Sequence, residues 1–212
     1  MTLLRDRLKV YLIMGSQNCD RDPADILHDA IQGGITAFQF REKGAGSLEG
    51  DAKLALGKKL RAICRDHDVL FFVNDDLDLV EPLEADGIHV GQDDASAKEV
   101  RRQFPDKIIG LSVSNTGEVG RSPLNVVDYL GAGPVFATTS KHDAKAPVGP
   151  EWIETLQRDY PGMPIVGIGG ITTDNAQLVF NAGAAGVSVI SAVTEADDPR
   201  KAVQKLKACN RS

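Results

Sequence analysis

LFFVNDD, residues 70–76, opens with four apolar residues in a row and ends on three of the least core-like side chains. A strand with one wet face alternates apolar and polar residues, whereas one buried on both faces runs apolar without a break. The stretch predicts a strand in a parallel sheet covered on both sides, surfacing only at its carboxyl end. GIHVGQDD, residues 87–94, does much the same one unit later.

Runs of this kind recur at LKVYLIMG (8–15), AFQFRE (37–42), GIHVGQ (87–92), KIIGLSV (107–113), DYLGAGPVF (128–136), PIVGIGG (164–170) and GVSVISAV (186–193). Between them lie longer segments with helical spacing: ADILHDAIQGG, LEGDAKLALGKKLRAICRDHD, SAKEVRRQF, GPEWIETLQRDY and TDNAQLVFNAGA. PRKAVQKLKACN closes the chain. Pro23, Ser47, Pro150, Asp174 and Pro199 mark helix starts. About eight β-α units fit this length, and no Pro/Gly/Ser-rich linker splits them. The expected fold is α/β, a single (β/α)8 TIM barrel over residues 1–212. An open doubly wound sheet is the alternative, and the absence of a GxGxxG turn after the first strand counts against it.

The chain has 212 residues, 42% of them hydrophobic, and a net charge of −6 with Lys and Arg spread along it. That excludes a basic nucleic-acid face and an anionic-membrane surface. An anionic substrate must then be held by a few local cations, backbone donors or a metal. Cys19, Cys64 and Cys209 are odd in number and form no metal-ligand spacing, which reads as reduced thiols in a cytoplasmic protein. The short apolar run near the N-terminus has no small-residue cleavage pattern after it and reads as the first strand. No stretch reaches the roughly 18 apolar residues that span a bilayer.

In either α/β arrangement, ligands bind beyond the carboxyl ends of the strands. The residues there sort into three chemistries. Asp75 and Asp94, at the ends of neighbouring strands, could share one hard cation; Mg2+ is held by one or two carboxylates plus substrate phosphates and water. The competing reading is that each caps a helix. Arg41, Lys43 and Lys141 could grip phosphate, Arg as a planar fork and Lys as a point charge; alone, each would be a solvated surface cation. Glu42 is expected to orient Arg41 through a salt bridge. GIGGIT (167–172) and VISAV (189–193) resemble the common barrel phosphate site after strands seven and eight. His28 and His67 read as structural, His89 as a satisfied core histidine, His142 as a loop residue near ligand, and Trp152 as packing. The loop SKHDAKAPVGP, residues 140–150, reads as a lid over the mouth.

QFREKG, VNDD, GIHVGQDD, GLSVS, YLGAGPVFATTSK, GIGGIT and VISAV, in this order, closely resemble the thiamine-phosphate synthase family from about Lys9 to Val193. The combination of QxREK, NDD, GQDD and TxxK is specific, whereas GIGGI occurs in many phosphate-binding barrels. The resemblance implies a barrel that joins a hydroxymethylpyrimidine diphosphate to a thiazole phosphate, with Mg2+, releasing pyrophosphate. It further implies that Gln39, Arg41, Lys43, Asn74, Ser112 and Lys141 hold the pyrimidine diphosphate, and that Asp75 and Asp94 bind the metal. Thr138, Ser140, Gly170, Ile190 and Ser191 would hold the thiazole phosphate. The family's Pro-Thr-x-Thr-Lys loop is here Ala137-Thr138-Thr139-Ser140-Lys141, in which Ser keeps the hydroxyl. Arg41, Lys43 and Lys141 would be the catalytic cations. The partners are thus two phosphorylated small molecules, with no nucleic acid and no membrane; a homodimer is compatible, and the oligomeric state is left open. A thiazole isomerase on the same barrel would lack the acidic and cationic sets. A non-catalytic phosphate sensor would not need a metal set facing a leaving-group set.

Overall fold

Each of the consecutive-apolar runs becomes a strand in the computed structural model, which describes residues 4–140 and 145–210. Strands β1 (Val10–Met14), β2 (Ala37–Phe40), β3 (Leu70–Asn74), β4 (Gly87–Val90), β5 (Ile108–Val113), β6 (Tyr129–Ala132), β7 (Ile165–Ile168) and β8 (Gly186–Val189) pair in parallel in chain order. The ring closes where Val10 to Leu12 of β1 run beside Val187 to Val189 of β8. The expected (β/α)8 barrel is therefore the fold, and the open sheet is excluded.

The helices are α1 (Leu4–Arg7), α2 (Pro23–Gly33), α3 (Gly50–Asp66), α4 (Ala97–Gln103), α5 (Thr116–Arg121), α6 (Glu151–Asp159), α7 (Ala176–Asn181), α8 (Ser191–Thr194) and α9 (Pro199–Ala208). Two start as the sequence suggests. Asp22 accepts the Ala24 amide at 2.8 Å and Asp198 the Lys201 amide at 2.9 Å, each with Pro at the first helical position. Two expected starts are displaced. Ser47 donates instead to Gly44 O at 2.7 Å, and α3 begins at Gly50. Asp174 lies one residue before the N-cap, Asn175, and α7 begins at Ala176. The run predicted as strand through 193 also breaks: the backbone turns at Ile190 and Ser191–Thr194 is helical. Between β3 and β4 a 3-10 turn, Leu77–Leu79, replaces an α-helix.

Two cores explain the strand pattern. Side chains facing outward, such as Leu12, Phe38, Phe71, Val73 and Ile109, pack beneath the helices. Those facing inward, including Tyr11, Ile13, Ala37, Phe72, Tyr129 and Val166, fill the barrel. Inward positions grow more polar toward the carboxyl end: Leu70, Phe72, then Asn74 on β3, and Ile108, Gly110, then Ser112 on β5. Trp152 of α6 packs as predicted, buried, with its indole N–H donating to Val113 O at 3.1 Å. The three cysteines are free, and no helix among the described residues is long and apolar enough to cross a membrane.

The opposite rim is tied by acids that do not reach the carboxyl ends. Asp86, just before β4, takes the Phe71 amide at 2.8 Å and Arg61 in a two-pronged pair at 3.0 and 3.2 Å. Asp128, just before β6, takes the Ile109 amide at 2.7 Å and Arg101 at 2.6 Å. These clasps lock neighbouring strands in register. Asp86→Ala is expected to cost about 1.5–3 kcal/mol of stability by denaturant titration, leaving the geometry of the carboxyl-end cavity unchanged.

Candidate active site

At the carboxyl ends of the strands lies a cavity of about 620 Å3. Arg41, Lys43, Asn74, Asp75, Asp94, Ser112, Thr138, Ser140, Gly170, Ile190 and Ser191 all line it. Residues up to 150 positions apart in the chain, from Arg41 to Ser191, thus share one mouth only because the ring is closed. Lys141 and His142 lie outside the described residues.

The acidic and cationic sets meet directly. Lys43 Nζ sits 2.5 Å from Asp75 Oδ2 and 3.7 Å from Asp94 Oδ1. Asp75 also accepts from Asn74 Nδ2 at 2.8 Å, and its backbone is held at φ +47°, a left-handed conformation that costs a non-glycine residue energy. Its amide donates to His89 O at 3.0 Å, which fixes that turn. The second oxygen of Asp94 accepts the Gly91 amide at 2.7 Å. Neither aspartate is a helix cap. The hydrogen bond that Lys43 donates to Asp75 raises the pKa of Lys43 despite partial burial, so the ammonium keeps its proton between two carboxylates. Asp76, the third acid of the opening stretch, turns away and pairs with Lys53 of α3 at 2.6 Å.

The loop after β2 is anchored by Glu42, and the expected Arg41–Glu42 bridge is replaced. Glu42 is buried and accepts the Ser16 amide at 2.7 Å, the Ser16 hydroxyl and the Leu48 amide at 2.6 Å. Gln17 Nε2 bonds the carbonyls of Arg41 at 2.9 Å and Lys43 at 3.2 Å. A buried carboxylate needs such partners, and satisfying them pins the main chain while leaving the Arg41 and Lys43 side chains to face the cavity.

On the far wall, Gly169 and Gly170 adopt φ +94° and +62°, values that favour glycine. A Cβ on Gly170 would lie 2.8 Å from Phe136 Cβ, so glycine also lets the two loops touch. Thr138 Oγ1 accepts the Ser140 amide at 3.2 Å, and Ser191 opens α8 beside them. Glu118 of α5, which the sequence reading missed, lines the same cavity and pairs with Lys145 at 2.6 Å. The Asn115-x-x-Glu118 spacing marks that helix start: Asn115 Oδ1 accepts the Glu118 amide at 2.9 Å.

Gln39 stands apart from the other predicted site residues. It is 1% exposed inside the barrel and donates to Tyr11 at 2.9 Å, one layer below the mouth. His89 is buried and satisfied, as read from the sequence, by Tyr129 at 2.9 Å and Ser112 at 2.8 Å. His28 and His67 lie edge to face at 6.0 Å on α2 and beyond α3, away from the cavity. Burial, with Glu42 nearby, pushes the Cys19 thiol up to about 12, and burial raises Cys64 further. Neither supplies a thiolate nucleophile at neutral pH.

A family model described as thiamine monophosphate synthase matches residues 10–193. The chain is 57% identical over 199 residues to a thiamine-phosphate synthase of Oceanobacillus iheyensis, covering 94% of this chain and 97% of that one. It is 49% identical over 204 residues to a thiamine-phosphate synthase of Bacillus velezensis, covering 96% and 91%. Among solved structures, a thiamine phosphate pyrophosphorylase from Pyrococcus furiosus superposes with a TM-score of 0.87 at 36% identity, covering 98% of this chain and 97% of that one.

The Glu118–Lys145 pair carries a pH signature. Burial alone would raise the Glu118 pKa, but Lys145 and the donors from Ser114 and Asn115 outweigh it and hold the carboxyl below its ordinary 4.5. A carboxyl depressed on folding stabilises the protein above its unfolded value and loses that contribution as pH falls through the folded value. Glu118→Gln is expected to cost about 1 kcal/mol at pH 7, shrinking toward zero in strong acid. A gap in melting temperature that does not change with pH contradicts this.

Proposed function

The chain belongs to the thiamine monophosphate synthase family and makes thiamine phosphate, and on that premise we propose that Asp75 and Asp94 hold Mg2+ while Arg41 and Lys43 grip the diphosphate leaving group. The reaction joins a hydroxymethylpyrimidine diphosphate to a thiazole phosphate and releases pyrophosphate. The bond between the pyrimidine methylene carbon and the diphosphate oxygen breaks, and the thiazole nitrogen bonds to that carbon.

The observation that carries the reading is the ammonium of Lys43 lodged between two carboxylates at one rim. It marks a point where hard oxygen donors converge on positive charge, and two carboxylates suffice for Mg2+ when a substrate diphosphate and water complete the shell. Among the described residues, no group of three or more His, Cys, Asp or Glu could hold a metal, so on this reading the diphosphate and water must complete the shell. When bound, Mg2+ would neutralise charge on the departing pyrophosphate.

The chain's own residues do the rest. Lys43, paired with Asp75 in the free protein, exchanges that carboxylate for the diphosphate and meets it as an ammonium. Arg41 has no ion-pair partner among the described residues and lies on the same wall, ready for a two-pronged grip on phosphate. Asn74 orients Asp75. The glycine-rich turn at 169–170, Thr138, Ser140 and Ser191 form a second subsite across the cavity, suited to the phosphate of the thiazole. Two anchored anions on opposite walls align the thiazole nitrogen with the methylene carbon. The raised thiol pKa values of Cys19 and Cys64 fit a path in which no protein nucleophile is needed and charge stabilisation of the leaving group supplies the rate.

A coupled assay with both substrates and graded Mg2+ tests this. Asp75→Asn and Asp94→Asn should each cut turnover by about two orders of magnitude or more and raise the Mg2+ concentration giving half-maximal rate. Near-normal rates in both variants would remove the metal from this rim. Lys43→Met should lower kcat by about tenfold or more while leaving the KM for thiazole phosphate within a factor of about two; a rise confined to that KM would place Lys43 on the other substrate.

A further inference from the structure

We infer that Gln39, Tyr11, Tyr129 and His89 form a one-way hydrogen-bond relay through the barrel interior that leaves the Ser112 hydroxyl proton pointing into the reaction cavity. The four are positioning residues, acting on substrate through Ser112.

The chain of contacts crosses five strands. Gln39 Nε2 on β2 lies 2.9 Å from Tyr11 OH on β1, which lies 3.1 Å from Tyr129 OH on β6. Tyr129 OH is 2.9 Å from His89 Nδ1 on β4, and His89 Nε2 is 2.8 Å from Ser112 Oγ on β5. Gln39, Tyr11 and Tyr129 are buried below the mouth, while His89, itself buried, and Ser112 both line the cavity wall. The sequence makes room for this on purpose-sized positions. Gly110 lies between His89 and Tyr129 in register, and a Cβ there would approach His89 Nδ1 to 2.5 Å. A Cβ on Gly131 would lie 3.0 Å from the His89 ring.

The direction follows from counting protons. An amide nitrogen only donates, so Tyr11 oxygen accepts from Gln39. Either phenol could donate across the Tyr11–Tyr129 contact, but only one direction uses both buried phenol protons along these contacts, Tyr11 donating to Tyr129 and Tyr129 to His89 Nδ1; a phenol proton buried without an acceptor is costly. Burial raises both phenol pKa values, so neither proton is lost near neutral pH. A His89 that accepts at Nδ1 is neutral and carries its proton on Nε2, which it donates to Ser112 Oγ. The hydroxyl proton of Ser112 is then free for an acceptor in the cavity. In water a serine hydroxyl rotates among partners; here the bond from His89 occupies one lone pair and bars the hydroxyl from donating to the ring, which lowers the reorganisation cost at the moment of binding. The acceptor is a lone pair of the pyrimidine diphosphate, and this rests on the reading of the cavity given above. It also accounts for Gln39, which lies too deep to line the mouth yet starts the relay.

The test has two parts, one without substrate. Nitrogen-15 NMR of the free enzyme with labelled histidine should show His89 as the neutral tautomer protonated at Nε2, and Tyr129→Phe should convert it to a mixture. The Nδ1-protonated tautomer, or an imidazolium, at neutral pH overturns the relay. In steady-state kinetics, Tyr129→Phe should lower kcat/KM for the pyrimidine diphosphate about tenfold, the worth of one hydrogen bond. The same change in a Ser112→Ala background should cost less than about twofold. Multiplying losses would mean that Tyr129 acts only on structure and would overturn the proposal. Should Tyr129→Phe fail to fold, Tyr11→Phe gives the same readings one link earlier. A Ser112→Ala enzyme with unchanged kcat/KM overturns the relay's purpose and the placing of the substrate against Ser112, even where the tautomer is as expected; the tautomer alone tests the relay's direction.

Discussion

Closure of the sheet between β1 and β8 is the constraint from which the rest follows. Once the ring is shut, each strand has one face toward helices and one toward its own axis, and both are dry. Backbone hydrogen bonds are satisfied around the ring, with no sheet edge left open. Polar side chains then have two places to go: the ends of the strands, or an interior where every donor and acceptor must find a partner. The chain uses both. Asp86 and Asp128 secure one end, Asp75 and Asp94 serve the other, and a polar chain led by Gln39 crosses the middle.

Electrostatics at the carboxyl rim follow the same economy. In a chain of net charge −6, the attraction of the mouth for anions depends on a few cations set close together. Lys43 is already charge-paired, and Lys145 is balanced by Glu118, while Arg41 has no such partner among the described residues. The rim is therefore neither a strongly positive funnel nor a neutral bowl. It is a set of cations of which Lys43 and Lys145 are paired with carboxylates, and on the function proposed above Lys43 would exchange that partner for phosphate oxygens. The partly exposed Lys43 pair contributes little to stability, so exchanging it for a diphosphate leaves the fold intact.

Much of this was legible in the sequence because burial on both faces writes itself as unbroken apolar runs, and the breaks in those runs fall at the mouth. LFFVNDD showed both where β3 lay and where it opened to chemistry. The period told faces apart; it did not tell which residues would meet. That Lys43 would reach both Asp75 and Asp94 depends on the tilt of strands around the ring. That Glu42 would bury itself against Ser16 and Leu48 depends on how two loops stack. Glu118 and Lys145, 27 positions apart, carry no mutual signal in one dimension. Tyr11 and Tyr129 read as core aromatics, which they are; their hydroxyls matter only because the axis of the barrel brings them within 3.1 Å. Gln39 looked like a rim residue because QFRE ends a strand, yet the strand's pitch left it one layer down. Helix boundaries erred where Ser47 and Asp174 form loop hydrogen bonds in place of caps, and where the chain turns at Ile190.

Trp152 is the sole tryptophan of the 212 residues. Its indole N–H is tethered to the carbonyl of Val113, the residue after Ser112. Indole emission responds to the polarity and hydrogen bonding of its surroundings, so the molecule carries a native optical probe fastened to the strand end that forms one wall of its cavity. Occupancy of that wall becomes readable in the unlabelled wild-type protein, in real time, without a dye or an introduced fluorophore.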